Sequence, residues 1–173
     1  MKGKGSMEHG KESIIYHLTE KQSLAMNRVG IIPGESDSPI DIYNMQLPQD
    51  IAEHIITYFN GIGSDDVFIC CGRKNPEYIE FDNLPLQENS KLYLFFKIEC
   101  ECDTDVIISG KTDFVTRTWL NGRFVISYPT PLITRLNAGE NLFILESKYP
   151  HDGAYIHYRI NTLFNEYEKQ PLS

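Results

Sequence analysis

The sequence lacks a long apolar run and lacks an excess of positive charge. No segment of its 173 residues approaches the about 20 apolar residues that a transmembrane helix requires. The formal net charge is −8, and the basic residues are scattered rather than clustered, whereas binding to nucleic-acid phosphates usually needs a basic patch. We therefore expect neither a membrane nor a nucleic acid as a partner.

The common catalytic motifs are also missing. There is no Gly-x-Ser-x-Gly elbow, no His-Glu-x-x-His pair and no Gly-x-Gly-x-x-Gly loop. Gly110-Lys111-Thr112 matches the end of a phosphate-binding loop, but Asp105 stands where that loop needs its first glycine. The five histidines are dispersed along the chain. The sequence does not predict an enzyme.

Cysteine is scarce and is spaced in an unusual way. The four cysteines form one adjacent pair, Cys70-Cys71, and one Cys-x-Cys pair, Cys100 and Cys102. Neither pair has the Cys-x2-Cys spacing of a zinc knuckle. The N-terminus has no apolar signal region, and the chain has no Asn-x-Ser/Thr glycosylation site. These features predict free thiols, no metal bound by sulfur, and a reducing, cytoplasmic location.

Short strands separated by turn residues dominate from residue 67 onward, at spacings typical of a sandwich or barrel. Residues 91–102 alternate, with Leu92, Leu94 and Phe96 on one face. Tyr93 and Phe95 lie on the other face, so part of that face should be covered too. The predicted strands are 13–18, 67–71, 78–81, 91–102, 105–109, 114–120, 123–127, 132–136, 141–148 and 154–160.

One helix is predicted in the first third of the chain. It covers residues 49–60, where Ile51, Ile55 and Phe59 recur at four-residue steps and Gly61 follows the end. The other residues between 19 and 50 are rich in proline and turn formers, and they are predicted to be irregular. Residues 1–12 are expected to be a tag or tail, residues 13–163 a single β-sandwich domain, and residues 164–173 a tail or linker.

Two turns carry a resemblance to a known family. Asn121-Gly122, within Trp119-Leu-Asn-Gly-Arg123, is the preferred type I′ hairpin turn because both central residues need positive φ. The second turn is Leu136-Asn-Ala-Gly-Glu-Asn-Leu142. Together, over about residues 91–160, they resemble the galactose-binding-like jelly rolls attached to many bacterial proteins. The resemblance implies an all-β antiparallel sandwich with at most one short helix.

Members of that family serve as sugar-binding modules, spacers or docking modules, so the resemblance leaves the function open. Such domains often hold a structural calcium ion through carboxylates and backbone carbonyls. The side chains available here are Asp65, Asp66, Asp103, Asp105 and Asp113. Because no contiguous calcium loop is visible, no metal site or cofactor is predicted, and calcium stays an alternative.

The last strand contains the best candidate for a binding surface. Alternation should turn Ala154, Ile156, Tyr158 and Ile160 toward the core and Tyr155, His157 and Arg159 outward. Planar donors beside aromatic surface suit a hydroxylated or carboxylate ligand. The alternative is an ordinary solvated sheet face.

Two further candidates lie in the earlier hairpin strand. Trp119, the only tryptophan, would be either a stacking platform for a sugar or a core residue. Arg117 shares a face with Trp119 and would join the group on the last strand if the two strands are neighbours.

The sequence thus predicts a non-catalytic module of a larger bacterial protein, with a carbohydrate-like ligand. The alternative is a structural or protein-docking domain, which could also dimerise. The predicted ligand-binding residues are Arg117, Trp119, Tyr155, His157 and Arg159.

Overall fold

The computed structural model describes ten parts of the chain: residues 14–19, 23–34, 43–61, 67–71, 78–81, 84–111, 115–125, 131–149, 151 and 154–163. These parts contain twelve strands and one α-helix, α1 (Gln49–Phe59). The helix was predicted to within one residue. No helix in the described ranges is long and apolar enough to cross a membrane.

Seven strands form the first sheet: β1 (Ile15–Leu18), β3 (Arg28–Pro33), β4 (Phe68–Cys71), β6 (Lys91–Cys100), β8 (Val115–Leu120), β9 (Arg123–Val125) and β11 (Gly139–Lys148). Their order is β4-β3-β6-β11-β8-β9, with β1 paired to β6 beside β3. The longest strands of this sheet, β6 and β11, pair along ten residues each.

Five strands form the second sheet: β2 (Ser23–Ala25), β5 (Tyr78–Glu80), β7 (Thr104–Lys111), β10 (Leu132–Leu136) and β12 (Tyr155–Thr162). Their order is β10-β7-β12-β2, with β5 also paired to β12. Strand β12 is central, because β7 lies on one side of it and both β5 and β2 lie on the other.

The predicted all-β, two-sheet architecture is confirmed, with one departure from a purely antiparallel arrangement. Strand β1 pairs with β6 in parallel, with Ile15 opposite Lys97 and Leu18 opposite Cys100. Every other pair of strands in the described residues is antiparallel. The sequence did not indicate this pairing, because β1 is only four residues long.

The inner faces of the two sheets form one hydrophobic core. From the seven-stranded sheet, Phe96 and Phe143 contribute stacked rings 5.1 Å apart. From the five-stranded sheet, Ile156, Tyr158 and Ile160 are 3% exposed or less. Alternation along β6, β11 and β12 supplies these side chains, since every second residue of a strand faces the same side.

The outer face of the seven-stranded sheet is also covered, as the positions of Tyr93 and Phe95 predicted. Helix α1 packs on it, and the rings of Tyr58 and Phe59 lie edge-on to Phe95 with centroids 5.5 and 5.7 Å away. Lys97 lies over the Phe59 ring at 4.0 Å. We call this surface the helix face.

The prediction that residues 19–50 are irregular outside the helix is wrong, because β2 and β3 lie there. Pro33, one of the prolines that suggested an irregular segment, is the last residue of β3, and Gly30 lies within the same strand. Gly30 lies opposite Phe95, and a Cβ atom at Gly30 would be only 2.5 Å from that ring. The glycine therefore makes room for an aromatic ring that crosses its strand, which single-residue preferences do not reveal.

The predicted hairpin is confirmed within its described residues, 115–125. Asn121 and Gly122 have φ values of 52° and 82°, and β8 and β9 pair on either side of them. In the second turn, Gly139 has φ of 93°. The side chain of buried Asn141 accepts a hydrogen bond from the Asn137 amide at 2.8 Å and closes that turn.

Candidate functional site on the outer face of strand β12

Strand β12 alternates between core and surface as predicted. Tyr155, His157 and Arg159 are half-buried, whereas their neighbours Ile156 and Tyr158 are buried. The three half-buried side chains lie in a row on the outer face of the five-stranded sheet. We call this surface the β12 face and define it by Tyr78, Tyr155, His157, Arg159 and Asn161.

An aromatic cluster occupies the end of the β12 face where β12 begins. Strand β5 places Tyr78 directly opposite His157. The Tyr78 ring stacks on Tyr155, with centroids 4.6 Å apart and planes 13° from parallel. It also meets the His157 ring at 5.2 Å in an edge arrangement. These contacts fix the positions of the three rings relative to one another.

Hydrogen-bonding groups occupy the other end. Nη1 of Arg159 donates a hydrogen bond to Ser23 Oγ at 2.5 Å. Strand β2 supplies this serine, which lies opposite Asn161. A guanidinium, an amide and a hydroxyl thus lie together, and these groups suit hydroxyl or carboxylate ligands.

Arg117 and Trp119 lie elsewhere. Both are on β8, which pairs with β9 and β11 in the seven-stranded sheet, so β8 and β12 are not neighbours and Arg117 does not join the row. The Trp119 ring is 0% exposed, and its Nε1 donates to the Met45 carbonyl at 2.9 Å. Its burial fits the core interpretation of this tryptophan, and nothing in the described structure supports stacking against a ligand.

Arg117 belongs to a buried ion pair beneath the segment that precedes α1. Its Nε and Nη2 atoms donate to the two oxygens of Glu146, at 2.7 and 2.5 Å. Its Nη1 donates to the Asn44 carbonyl at 2.6 Å. Together with Trp119, Arg117 therefore holds two consecutive carbonyls of residues 43–48 against the helix face.

Hydrogen bonds and charge keep Glu146 ionised in this buried position. Burial by itself would raise the pKa of Glu146. Hydrogen bonds from Arg117 and Thr116, the positive charge of Arg117 and a hydrogen bond from Tyr93 outweigh it, so the pKa lies below its ordinary value. Burial, the charge of Glu146 and the hydrogen bond to it raise the pKa of Tyr93. This network lies on the helix face, in the other sheet from the β12 face.

The two described aspartates among the calcium candidates have protein partners. Oδ1 of Asp103 accepts a hydrogen bond from the Ala138 amide at 2.9 Å. Asp105 is paired with Arg135, whose hydrogen bond lowers the pKa of Asp105. Asp65, Asp66 and Asp113 lie outside the described residues. Within those residues, no group of three or more His, Cys, Asp or Glu side chains is arranged to hold a metal ion.

Cys70, Cys100 and Cys102 form no disulfide bond in the described structure. Burial raises the pKa of Cys100, which makes its thiolate form less accessible. The side chain of Cys71 lies outside the described residues. The reduced state of all four cysteines and the cytoplasmic location stay predictions.

Sequence reasoning missed two members of the β12 face, Tyr78 and Asn161. The strand containing Tyr78 was predicted correctly, but its partner strand was not. Tyr78 and His157 are 79 positions apart (157 − 78), and a pairing over that distance leaves no local signal. Asn161 lies one position beyond the predicted end of the last strand, and its position in the outward alternation was the available signal.

These features define a two-sheet, largely antiparallel β-sandwich with an aromatic and hydrogen-bonding row on one outer face. The sequence matches no protein-family model and no curated protein. Solved structures similar to it include the family 35 carbohydrate-binding module from Clostridium thermocellum. That module is 15% identical with a TM-score of 0.33, and the alignment covers 51% of this chain and 80% of the module.

Another family 35 carbohydrate-binding module, from an environmental isolate, is 17% identical over 54% of this chain and 77% of its own, with a TM-score of 0.31. A β-glucosidase from Kluyveromyces marxianus is 10% identical over 82% of this chain, with a TM-score of 0.44, and the aligned region is 15% of that enzyme. At these identities and TM-scores, neither ligands nor activities carry over to this chain.

Proposed function

We propose that this chain is a non-catalytic carbohydrate-binding module of a larger bacterial protein and that its ligand lies on the β12 face. One observation carries the proposal: Tyr78, Tyr155, His157 and Arg159 line up on a single sheet face, half-exposed and held by contacts with one another or with Ser23. Side chains that are already ordered lose less conformational entropy when a ligand binds.

The chemistry of the β12 face suits a sugar. A pyranose has an apolar C–H surface and a rim of hydroxyl groups. Aromatic rings offer apolar area for the first, while Arg159, Asn161 and Ser23 offer hydrogen bonds for the second. A protein-docking surface is the alternative function, and it would use the same face without requiring any sugar.

The test is a glycan array with the wild-type chain, followed by calorimetry and thermal unfolding of two variants. Arg159→Ala removes a charged donor worth on the order of 1.5–3 kcal/mol, so binding should weaken about tenfold or more. Its stability should change by less than about 0.5 kcal/mol, because the side chain is on the sheet surface.

Ile156→Ala is the matched variant on the same strand. Ile156 is 1% exposed, so the cavity should cost roughly 2–5 kcal/mol of stability, while the affinity of the folded fraction stays near wild type. If no glycan binds, carbohydrate binding is rejected in favour of docking. If a glycan binds the wild type and Arg159→Ala with equal affinity, the β12 face is rejected as its site.

A further inference from the structure

The side chains of the β12 face are arranged in a line and not in a circle. Tyr155, His157, Arg159 and Asn161 are alternate residues of one strand. At about 3.3 Å per residue, the row spans about 20 Å, with successive side chains about 7 Å apart. A single sugar ring is much shorter than this span, so it would contact only part of the row.

The positions beside Arg159 carry small side chains. Ala25 of β2 lies opposite Arg159 on one side, and Ser109 of β7 lies opposite it on the other. Beside Asn161, β2 supplies the serine described above, whereas β7 supplies Ile107. Enclosing a terminal sugar requires larger groups on several sides, since small-molecule sites are usually concave and bury most of their ligand. Ile107 is the one large side chain among these four neighbours, so they do not surround the polar end of the β12 face.

The chemistry also changes along the row. The stacked pair Tyr78 and Tyr155 lies where β12 begins, and the His157 ring meets Tyr78 in an edge arrangement. The hydrogen-bonding group of Arg159, Asn161 and Ser23 lies near the end of the strand. A ligand that contacts both ends must be extended and must present apolar surface at one point and hydroxyl groups about 20 Å further on.

We infer that the ligand is a linear glycan chain that lies along β12 and is bound through several internal sugar units, rather than through one terminal sugar. This inference rests on the proposed function and specifies the substrate class of the same face. Each sugar unit that reaches a further side chain of the row adds contacts, so affinity rises with chain length until the row is filled.

The test is calorimetry of the chain with β-1,4-linked oligosaccharides of glucose, mannose and xylose, each series running from one to six units. In the series that binds, the affinity rises about tenfold or more between two and four units and then levels off. Tyr155→Ala and Arg159→Ala, at different positions of the row, each remove most of that gain.

Matched controls lie outside the row. Tyr43 is 87% exposed and is the first residue of the segment 43–48 held on the helix face, so Tyr43→Ala controls for the loss of an exposed tyrosine. Arg123 is exposed on β9 of the other sheet, so Arg123→Ala controls for the loss of an arginine. Both controls retain the wild-type length dependence.

Equal affinity from one unit to six, or array binding to branched or terminal sugars only, overturns the linear-chain inference and leaves carbohydrate binding intact. No binding in any series, together with an empty glycan array, overturns the proposed function itself.

Discussion

The two outer faces of the sandwich use aromatic and charged residues in different ways. On the helix face, Trp119 and Arg117 are 0% and 6% exposed, and their donors hold backbone carbonyls and Glu146. On the β12 face, comparable residue types are half-buried and contact side chains of their own sheet. The same chemistry therefore supports folding where it is covered and is available for binding where it is partly exposed.

This difference changes how a charged residue should respond to substitution. A buried ion pair contributes little net stability as a pair, but the loss of one partner leaves an uncompensated charge in the interior. A half-exposed guanidinium can be solvated by water when its partner is lost. The following substitutions test the contrast, beginning with the largest effect.

Glu146→Gln should be the most damaging. Glu146 is 0% exposed and receives hydrogen bonds from Arg117, Thr116 and Tyr93. Without the charge of Glu146, the buried Arg117 loses its ionic partner, at a cost of about 3–5 kcal/mol in the free energy of unfolding. Denaturant unfolding measures this cost.

The control is the double variant Arg117→Met with Glu146→Leu, which removes both charges. It should be less destabilised than Glu146→Gln. A Glu146→Gln cost below about 1 kcal/mol, the range of surface pairs, would contradict the structural role of the pair.

Gly30→Ala should destabilise the helix face through sterics alone. The added Cβ would lie 2.5 Å from the Phe95 ring, and Tyr58 and Phe59 pack against that ring. Overpacking of this kind costs about 1–3 kcal/mol. In a double-mutant cycle, the cost of Gly30→Ala should fall in a Phe95→Leu background; equal costs in both backgrounds would locate the strain elsewhere.

Acid should weaken the hydrogen-bonded network around Glu146 and Arg117. The pKa of Glu146 is lowered in the folded protein, whereas the pKa of a glutamate in an unfolded chain is about 4.3. The stability from its ionised form is therefore fully present above about pH 4.3 and is lost as the pH falls through the lower folded pKa. Thermal unfolding between neutral and acid pH should show a smaller loss in the Arg117→Met, Glu146→Leu variant. Equal losses in the two proteins would assign the acid sensitivity to other groups.

Much of the fold could be predicted from local sequence patterns. Neighbouring residues alone determine the strand alternation, the helix period at Ile51 and Ile55, and the Asn121-Gly122 turn. The β12 alternation likewise placed Tyr155, His157 and Arg159 on the surface. The predictions that failed concern residues whose contacts are far away in the chain. Gly30 is explained only by Phe95, and the burial of Arg117 and Trp119 only by residues 43–48. Tyr78 joins the β12 face only through strand pairing.

One measurement tests most directly whether the β12 face is the functional surface. It compares glycan binding on one array by three proteins: the wild type, Tyr155→Ala and Tyr43→Ala. Both tyrosines have exposed area, but only Tyr155 stacks within the β12 face. We predict that the affinity falls by about tenfold or more in Tyr155→Ala and is unchanged in Tyr43→Ala. Loss in Tyr43→Ala with retention in Tyr155→Ala would contradict the account and place the ligand beside the helix face.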